Sequence, residues 1–492
     1  MKKLIPFQNP VINKPKTPTQ GKPNNYDKDR IRHNLKNNNL EILRTLRYKY
    51  QDLISNRTKY KDFFEHIFTN KNWTSSKPLS NDDFSKIRKK KLKIIDNSKN
   101  ILKKKTPKEN KAFINSVILP FLLLEVLNTN PDPKVISGLI NLQKDFSYTE
   151  TKGLNNYSVY HLSAFMRNKN LFDFLQKNNA PGFDQFDSFL FGTGEDYAKL
   201  FGLIKVQKPN TINVINDKNE LTQMSRQDFE KLHDIIYSPW FHCNSHNFIK
   251  RIIEQKNIFV TEQLGQGGQI PSDLKRIIIG QAELAYSKLH SAQNFIVAYI
   301  PEIKGYGLYA NRVFEENEFI DFLGGMIVAI KHLKNAKNNQ FLVCLSLIEK
   351  SHQLSTKDTM IKMLQESDPD GCKLFGSAKK LFDHYSSVAP DLIKEKETRI
   401  KLITCQSKAP FWVNMKKQRN LTAFINCSKY PNTRLLSTPF RGVPGTMVYA
   451  TKKILQYEQF LVGFSSLFEE NKIENFFEMG KGSGFPRFLT IV

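Results

Sequence analysis

Asn420-Leu421-Thr422-Ala423-Phe424-Ile425-Asn426-Cys427-Ser428-Lys429-Tyr430-Pro431-Asn432 is the stretch whose reading decides the fold. It runs a short apolar segment into an asparagine and then a Pro-Asn turn, where Pro431 bends the chain and Asn432 tolerates turn geometry. By itself it reads only as a strand or short helix entering a turn. Its neighbours give it meaning. Upstream stand Phe295-Ile296-Val297-Ala298-Tyr299, then Lys304-Gly305-Tyr306-Gly307-Leu308-Tyr309-Ala310-Asn311, then Phe319-Ile320-Asp321-Phe322-Leu323-Gly324-Gly325. Downstream stand Met447-Val448-Tyr449-Ala450-Thr451-Lys452-Lys453-Ile454 and Glu458-Gln459-Phe460-Leu461.

In this order the segments resemble the SET domain of protein lysine methyltransferases, whose signatures are K-G-x-G-L-F-A, G-E-F-I-x-E-Y-x-G-E, R-F-I-N-H-S-C-x-P-N and a closing E-E-L-x-x-D-Y. The resemblance implies a β-rich domain over 291–492, with a long variable insertion over 331–409 that shapes a peptide groove. It also implies S-adenosylmethionine (AdoMet) as cofactor and a protein lysine as methyl acceptor. It places Lys304, Gly305, Tyr306 and Gly307 along the methionine portion of the cofactor, where glycine lets backbone approach a ligand closely. Asn426 and the backbone of Cys427 would meet the amino group and adenine, and an amide can both donate and accept there.

The departures are specific. Cys427 replaces the family histidine, and Lys429 replaces the family cysteine. The closing D-Y falls on Gly463-Phe464, so the catalytic tyrosine position keeps a ring and loses its hydroxyl. Tyr449 and Tyr306 are the nearest substitutes by motif. A second reading is therefore a SET scaffold that binds without catalysing. A third, a structural nucleic-acid-binding protein, rests on charge alone.

The 492 residues suffice for two or three domains, and 40% hydrophobic with 12% aromatic residues excludes disorder for most of the chain. Seventy-four Lys and Arg against 47 Asp and Glu give a net charge of +27, which favours chromatin or another acidic partner, or serves solubility. Five scattered cysteines with no C-x-x-C point to a reducing compartment and away from a structural zinc cluster. The best apolar run, Val117 to Leu127, is broken by Pro120 and Glu125 and predicts no membrane span. The N-terminus lacks the apolar core of a signal peptide, so the expected location is cytoplasmic or reached by export without one.

Residues 1–30 read as a disordered tail and 31–113 as a basic helical region, in which Lys86 to Lys105 holds ten Lys or Arg and one acid, Asp96. Over 114–210, Leu142-Gln143-Lys144 recurs as Leu175-Gln176-Lys177 at an offset of thirty-three, the ankyrin period. Tyr157-Ser158-Val159-Tyr160-His161-Leu162-Ser163-Ala164 resembles the ankyrin helix start, with His161 a structural hydrogen-bonder. Residues 211–290 read as a mostly helical linker with Phe229, Leu232, Ile235 and Ile236 on one stripe. Its His242, Cys243 and His246 lack the second ligand pair of a zinc site. The predicted class is α+β: a helical N-terminal half with ankyrin-like repeats, followed by the β-rich part. Ankyrin-like repeats beside a SET domain, in a Lys- and Asn-rich chain, also resemble effectors that intracellular bacteria inject into host cells, which implies a host compartment, the nucleus among them, as destination.

Overall fold

The computed structural model describes residues 42, 46, 81–127, 131–146, 154–216, 218–254, 258–260, 270–288, 292–301, 305–329, 342–344, 347–349, 356–390, 393, 411–428 and 430–463. The expected tail at 1–30 lies outside them.

The first half is helical. Helix α1 (Asn81–Lys103) is followed by α2 (Pro107–Phe113), a π-helical turn and α3 (Leu119–Val126), whose eight residues are all buried. Helix α4 (Pro133–Asp145) starts where sequence rules place a start: Asp132 caps it by accepting from Lys134 N, and Pro133 fills a first-turn position whose N–H has no helical partner. Helices α5 (Val159–Phe165) and α6 (Lys169–Lys177) form a hairpin, and α5 packs against both α3 and α7 (Gly194–Leu200). Both Leu-Gln-Lys tripeptides lie near helix ends, in α4 and α6.

The helical linker expected over 211–290 is instead a mixture that belongs to the sheets. Strands β1 (Thr211–Ile215) and β2 (Leu221–Ser225) form a hairpin, and β1 pairs in parallel with β6 (Phe295–Ile300), which pairs with β7 (Gly305–Ala310). Helix α8 (Arg226–Leu232) holds Phe229 and Leu232 of the predicted stripe but stops there. Asp234 takes a left-handed φ of 50°, and Ile236 emerges 55% exposed at the start of β3 (Ile236–Tyr237). Strands β3 and β4 (His242–Cys243) are two residues each, too short to show alternation, and owe their conformation to their partners. Helices α9 (His246–Glu254) and α10 (Ser272–Lys288), with β5 (Ile258–Val260) between, complete this region.

A second sheet joins β9 (Gly325–Ala329) to β12 (Phe411–Arg419) and β4, with β3 added on β12. Between β9 and β12 the described residues form β10 (Leu342–Cys344), β11 (Leu347–Glu349) and the helices Thr356–Ser367, Pro369–Leu374 and Ala378–Val388. The third sheet runs β13 (Asn426–Ser428), β16 (Leu461–Gly463), β14 (Thr433–Phe440), β15 (Val443–Ala450), β8 (Phe319–Phe322). Its β14–β15 hairpin turns on Arg441 and Gly442, with φ of 47° and 83°, the two positive values a two-residue turn of this hand requires. That turn docks on the helical half. Gly442 N donates to Leu190 O at 3.0 Å, and a Cβ on Gly192 would lie 2.5 Å from Gly442 Cα. Arg441 also ion-pairs with Glu283 and Asp196, while Tyr286 donates to Asp196 at 2.6 Å. One continuous apolar core accordingly runs from the helices into the sheets.

Candidate active site

The opening stretch divides into fasteners and a strand. Asn420, 0% exposed, donates to Phe322 O at 2.6 Å and accepts from Gly324 N and Thr422 Oγ1, and Thr422 also donates to Phe322 O. These bonds pin the 3-10 turn Leu421–Phe424 onto β8. Asn432 holds the returning segment: its Oδ1 accepts from Leu461 N at 2.7 Å, and its Nδ2 donates to Gln459 O at 2.8 Å and Glu458 Oε1 at 3.2 Å. That segment also bonds β7, through Phe460 N to Leu308 O and Ala310 N to Glu458 O. Strands β7, β13 and β16 therefore meet at one place, with Asn426 paired to Leu461 and Cys427 to Val462.

There, Asn426 Nδ2 donates to Tyr306 O at 3.1 Å. This bond brings the Gly305-Tyr306-Gly307 strand and the Asn426-Cys427-Ser428 strand into contact across 120 residues of sequence. With one Nδ2 hydrogen committed to protein, Asn426 keeps its amide oxygen and its second N–H for a ligand. Gly307 is needed for a nearer reason than ligand approach. A Cβ there would lie 2.6 Å from Ile300 Cδ1 and 2.7 Å from Gln459 Nε2, so the protein's own side chains occupy the space.

The strand is walled by groups that the sequence did not single out. Around Tyr306 stand His233 at a ring distance of 4.5 Å and Tyr299 at 5.3 Å, with Phe424 at 6.4 Å; His233 also contacts Phe229 at 4.3 Å and Phe424 at 5.0 Å. Burial, and then the charge of Arg419, push the His233 pKa down to about 3, so the ring is neutral at physiological pH. The Arg419 guanidinium lies 4.7 Å from the Phe424 ring centroid, and burial lowers its pKa to about 10. Two buried polar atoms bordering this strand lack a hydrogen-bond partner: His233 Nε2 and Gln459 Nε2. Gln459 lay inside a recognised motif, whereas a lone histidine in a helical stretch carried no signal at all.

Tyr449 sits elsewhere. It is 2% exposed on β15, opposite Arg434 on β14 and three strands removed from β13 in sheet order, on the order of 14 Å at normal strand spacing. Burial raises its pKa, and a hydrogen bond from Arg434 works against that rise. Lys304, Phe464 and the side chain of Cys427 lie outside the described residues.

The donor set suits an organic ligand bearing both acceptors and a donor. It offers an amide oxygen at Asn426, backbone strands at 305–307 and 426–428, and a buried amide donor at Gln459 with no protein acceptor. AdoMet, with its amino, carboxylate and adenine groups, fits such a set. Among the described residues no cluster of three His, Cys, Asp or Glu side chains is placed to hold a metal ion. No helix among them is long and apolar enough to cross a membrane.

Comparison with solved structures finds distant similarity. The chain is similar to ATXR5 in complex with histone H3.1 mono-methylated on R26, at 11% identity and a TM-score of 0.27, covering 48% of this chain and 83% of that one. It is similar to Arabidopsis thaliana SUVH6 in complex with SAM, at 11% identity and 0.22, covering 36% and 29%. It is also similar to the Neurospora SET domain protein DIM-5, a histone lysine methyltransferase, at 15% identity and 0.20, covering 35% and 51%. No curated protein matches the chain. The glycine strand β7, the stretch from Asn420 to Asn432 and the returning segment all fall within one family match: residues 305–464 of this chain match the SET domain.

Proposed function

We propose that this chain transfers a methyl group from AdoMet to the side-chain amine of a lysine in a protein substrate. The observation that carries the reading is the Asn426–Tyr306 hydrogen bond, which unites the two cofactor-side motifs inside the SET segment. When bound, AdoMet supplies an electrophilic methyl group on a sulfonium. Backbone of Gly305–Gly307 and Asn426–Ser428 holds and orients the ligand, Asn426 Oδ1 receives its amino group, and Gln459 Nε2 meets an acceptor that the protein itself does not provide. Orientation of this kind is where much of the rate of an in-line transfer originates. The aromatic wall of Phe229, Tyr299, Tyr306 and Phe424 excludes water from that side. We read the stacked hairpins α3–α4 and α5–α6 as ankyrin-like units that present a protein substrate; their support is the packing of α5 on both α3 and α7. An effector acting inside a host cell extends this reading on the sequence resemblance.

A second reading, a SET scaffold that binds without turnover, draws on Phe464 at the family tyrosine position. Tritium transfer from labelled AdoMet to histones or host-cell lysate, in wild type and Phe464→Tyr, separates the two. The enzyme reading expects measurable wild-type transfer that the restored hydroxyl maintains or raises. A silent wild type with intact AdoMet binding favours the scaffold, and robust wild-type turnover that collapses in Phe464→Tyr contradicts the placement of Phe464.

A further inference from the structure

Helix α1 sorts its cations into two sets. Arg88 pairs with Asp132, Lys91 pairs with Glu125 at 2.5 Å, and Lys99 pairs with Asp145 at 3.0 Å. Lys91, Ile95, Ser98 and Leu102 form the line that faces α3 and α4, at 6%, 8%, 2% and 1% exposure. At 3.6 residues per turn, Lys86, Lys89, Lys90, Lys93, Asn97 and Asn100 fall on the opposite side, and all six are exposed. Lys103 and Lys104 carry the charge past the helix end. Among the described residues these outward lysines make no ion pair.

A solvated helix face ordinarily mixes signs. Here the acids that would mix with the lysines are Glu125, Asp132 and Asp145, and the fold has turned them toward the inner set. From Lys86 to Asn100 the outer row holds no acid, Asp96 stands at its edge, and Asp82 and Asp83 precede it in the first turn of the helix. Lys86 to Lys93 covers about 10 Å of helix axis, close to the three steps of about 3.4 Å that join four successive phosphates of one DNA strand. The row carries no aromatic ring for base stacking. Its one exposed large apolar side chain is Ile101, at 40%, too little to enter a bilayer.

We propose that the outward face of helix α1, built on Lys86, Lys89, Lys90 and Lys93, docks the backbone phosphates of double-stranded nucleic acid without reading its sequence. The surface is separate from the SET segment, and the proposal stands independently of the methyl-transfer reading. Four phosphate contacts predict a slope of log K against log salt of about −3.6, a loss of roughly 100-fold between 50 and 200 mM.

The test is fluorescence anisotropy of the full chain with a random 20-base-pair duplex, over that salt range. The variants are a fourfold Lys→Gln at 86, 89, 90 and 93, and a charge-matched control, Lys→Gln at 362, 379, 380 and 452, all exposed. Because the substituted side chains face solvent, both should keep the wild-type thermal melt. The α1 variant should lose at least tenfold in affinity at 100 mM salt and most of the slope, and the control less than twofold. Equal losses in the two variants would assign binding to the overall charge and overturn the site. So would undiminished binding by the α1 variant. An α1-dependent affinity for anionic phosphatidylserine vesicles that exceeds the affinity for duplex would overturn the partner.

Discussion

Two histidines, His161 fully buried in the helical half and His233 half-buried with its Nε2 atom inside, show how differently the halves are built. His161, in helix α5, has both ring nitrogens engaged: Nδ1 accepts from Ser158 N at 3.0 Å and lies 2.9 Å from Ser158 Oγ, and Nε2 donates to Gly192 O at 3.0 Å. Its burial lowers the pKa, and the hydrogen bonds are those of a neutral ring. His233, beside β7, is also kept neutral by burial, yet its Nε2 has no partner. A satisfied buried histidine stabilises a fold. One walled by Phe229, Tyr306 and Phe424 with an unused nitrogen costs stability and is tolerated where something else uses it.

Substituting each histidine sharpens that contrast. His161→Ala opens a cavity among Tyr157, Phe165 and Tyr197 and strands Ser158 N and Gly192 O. The expected loss is about 3–4 kcal/mol in denaturant unfolding, with ligand affinity unchanged in the protein that remains folded. His233→Phe removes a polar atom without a partner and keeps the ring, so at pH 7.5 its stability should lie within about 1 kcal/mol of wild type. Its pH dependence carries the information. The folded pKa, about 3, lies below the ordinary 6.5, so the unfolded chain binds the extra proton. The contribution of His233 is complete above about pH 6.5 and is lost as pH falls toward 3. His233→Phe lacks that loss and should gain on wild type by on the order of 2 kcal/mol at pH 5. Parallel stability curves for wild type and variant between pH 7.5 and 5 would place His233 in water rather than in the aromatic wall.

The same contrast explains what the sequence made legible. Residues serving the backbone announce themselves by type and spacing. Gly305 and Gly307, Asn420, Asn426, Asn432 and the Glu458-Gln459 pair sit where strands cross, and few other side chains perform those tasks. The segment 211–243 gave no such signal. Strands β3 and β4 are two residues long, and α8 stops at Leu232 although the apolar stripe continues to Ile236, because pairing with β12 and β9 overrides local preference. His233 was hidden for the same reason, since its value depends on Tyr306 and Phe424, far away in sequence. At Gly307 the structure adds a cause that the sequence did not show: Ile300 and Gln459 fill the space beside it.

Isothermal titration of the whole chain with AdoMet tests the central claim most directly. The account predicts saturable binding at one site per chain, preserved in a folded His161 variant. Asn426→Ala should weaken it by roughly 1–3 kcal/mol, and Gly307→Val, which drives Gln459 and Ile300 out of place, should abolish it. Absence of binding in wild type, or unchanged affinity in Gly307→Val, would contradict the assignment of AdoMet to the strands around Tyr306 and Asn426.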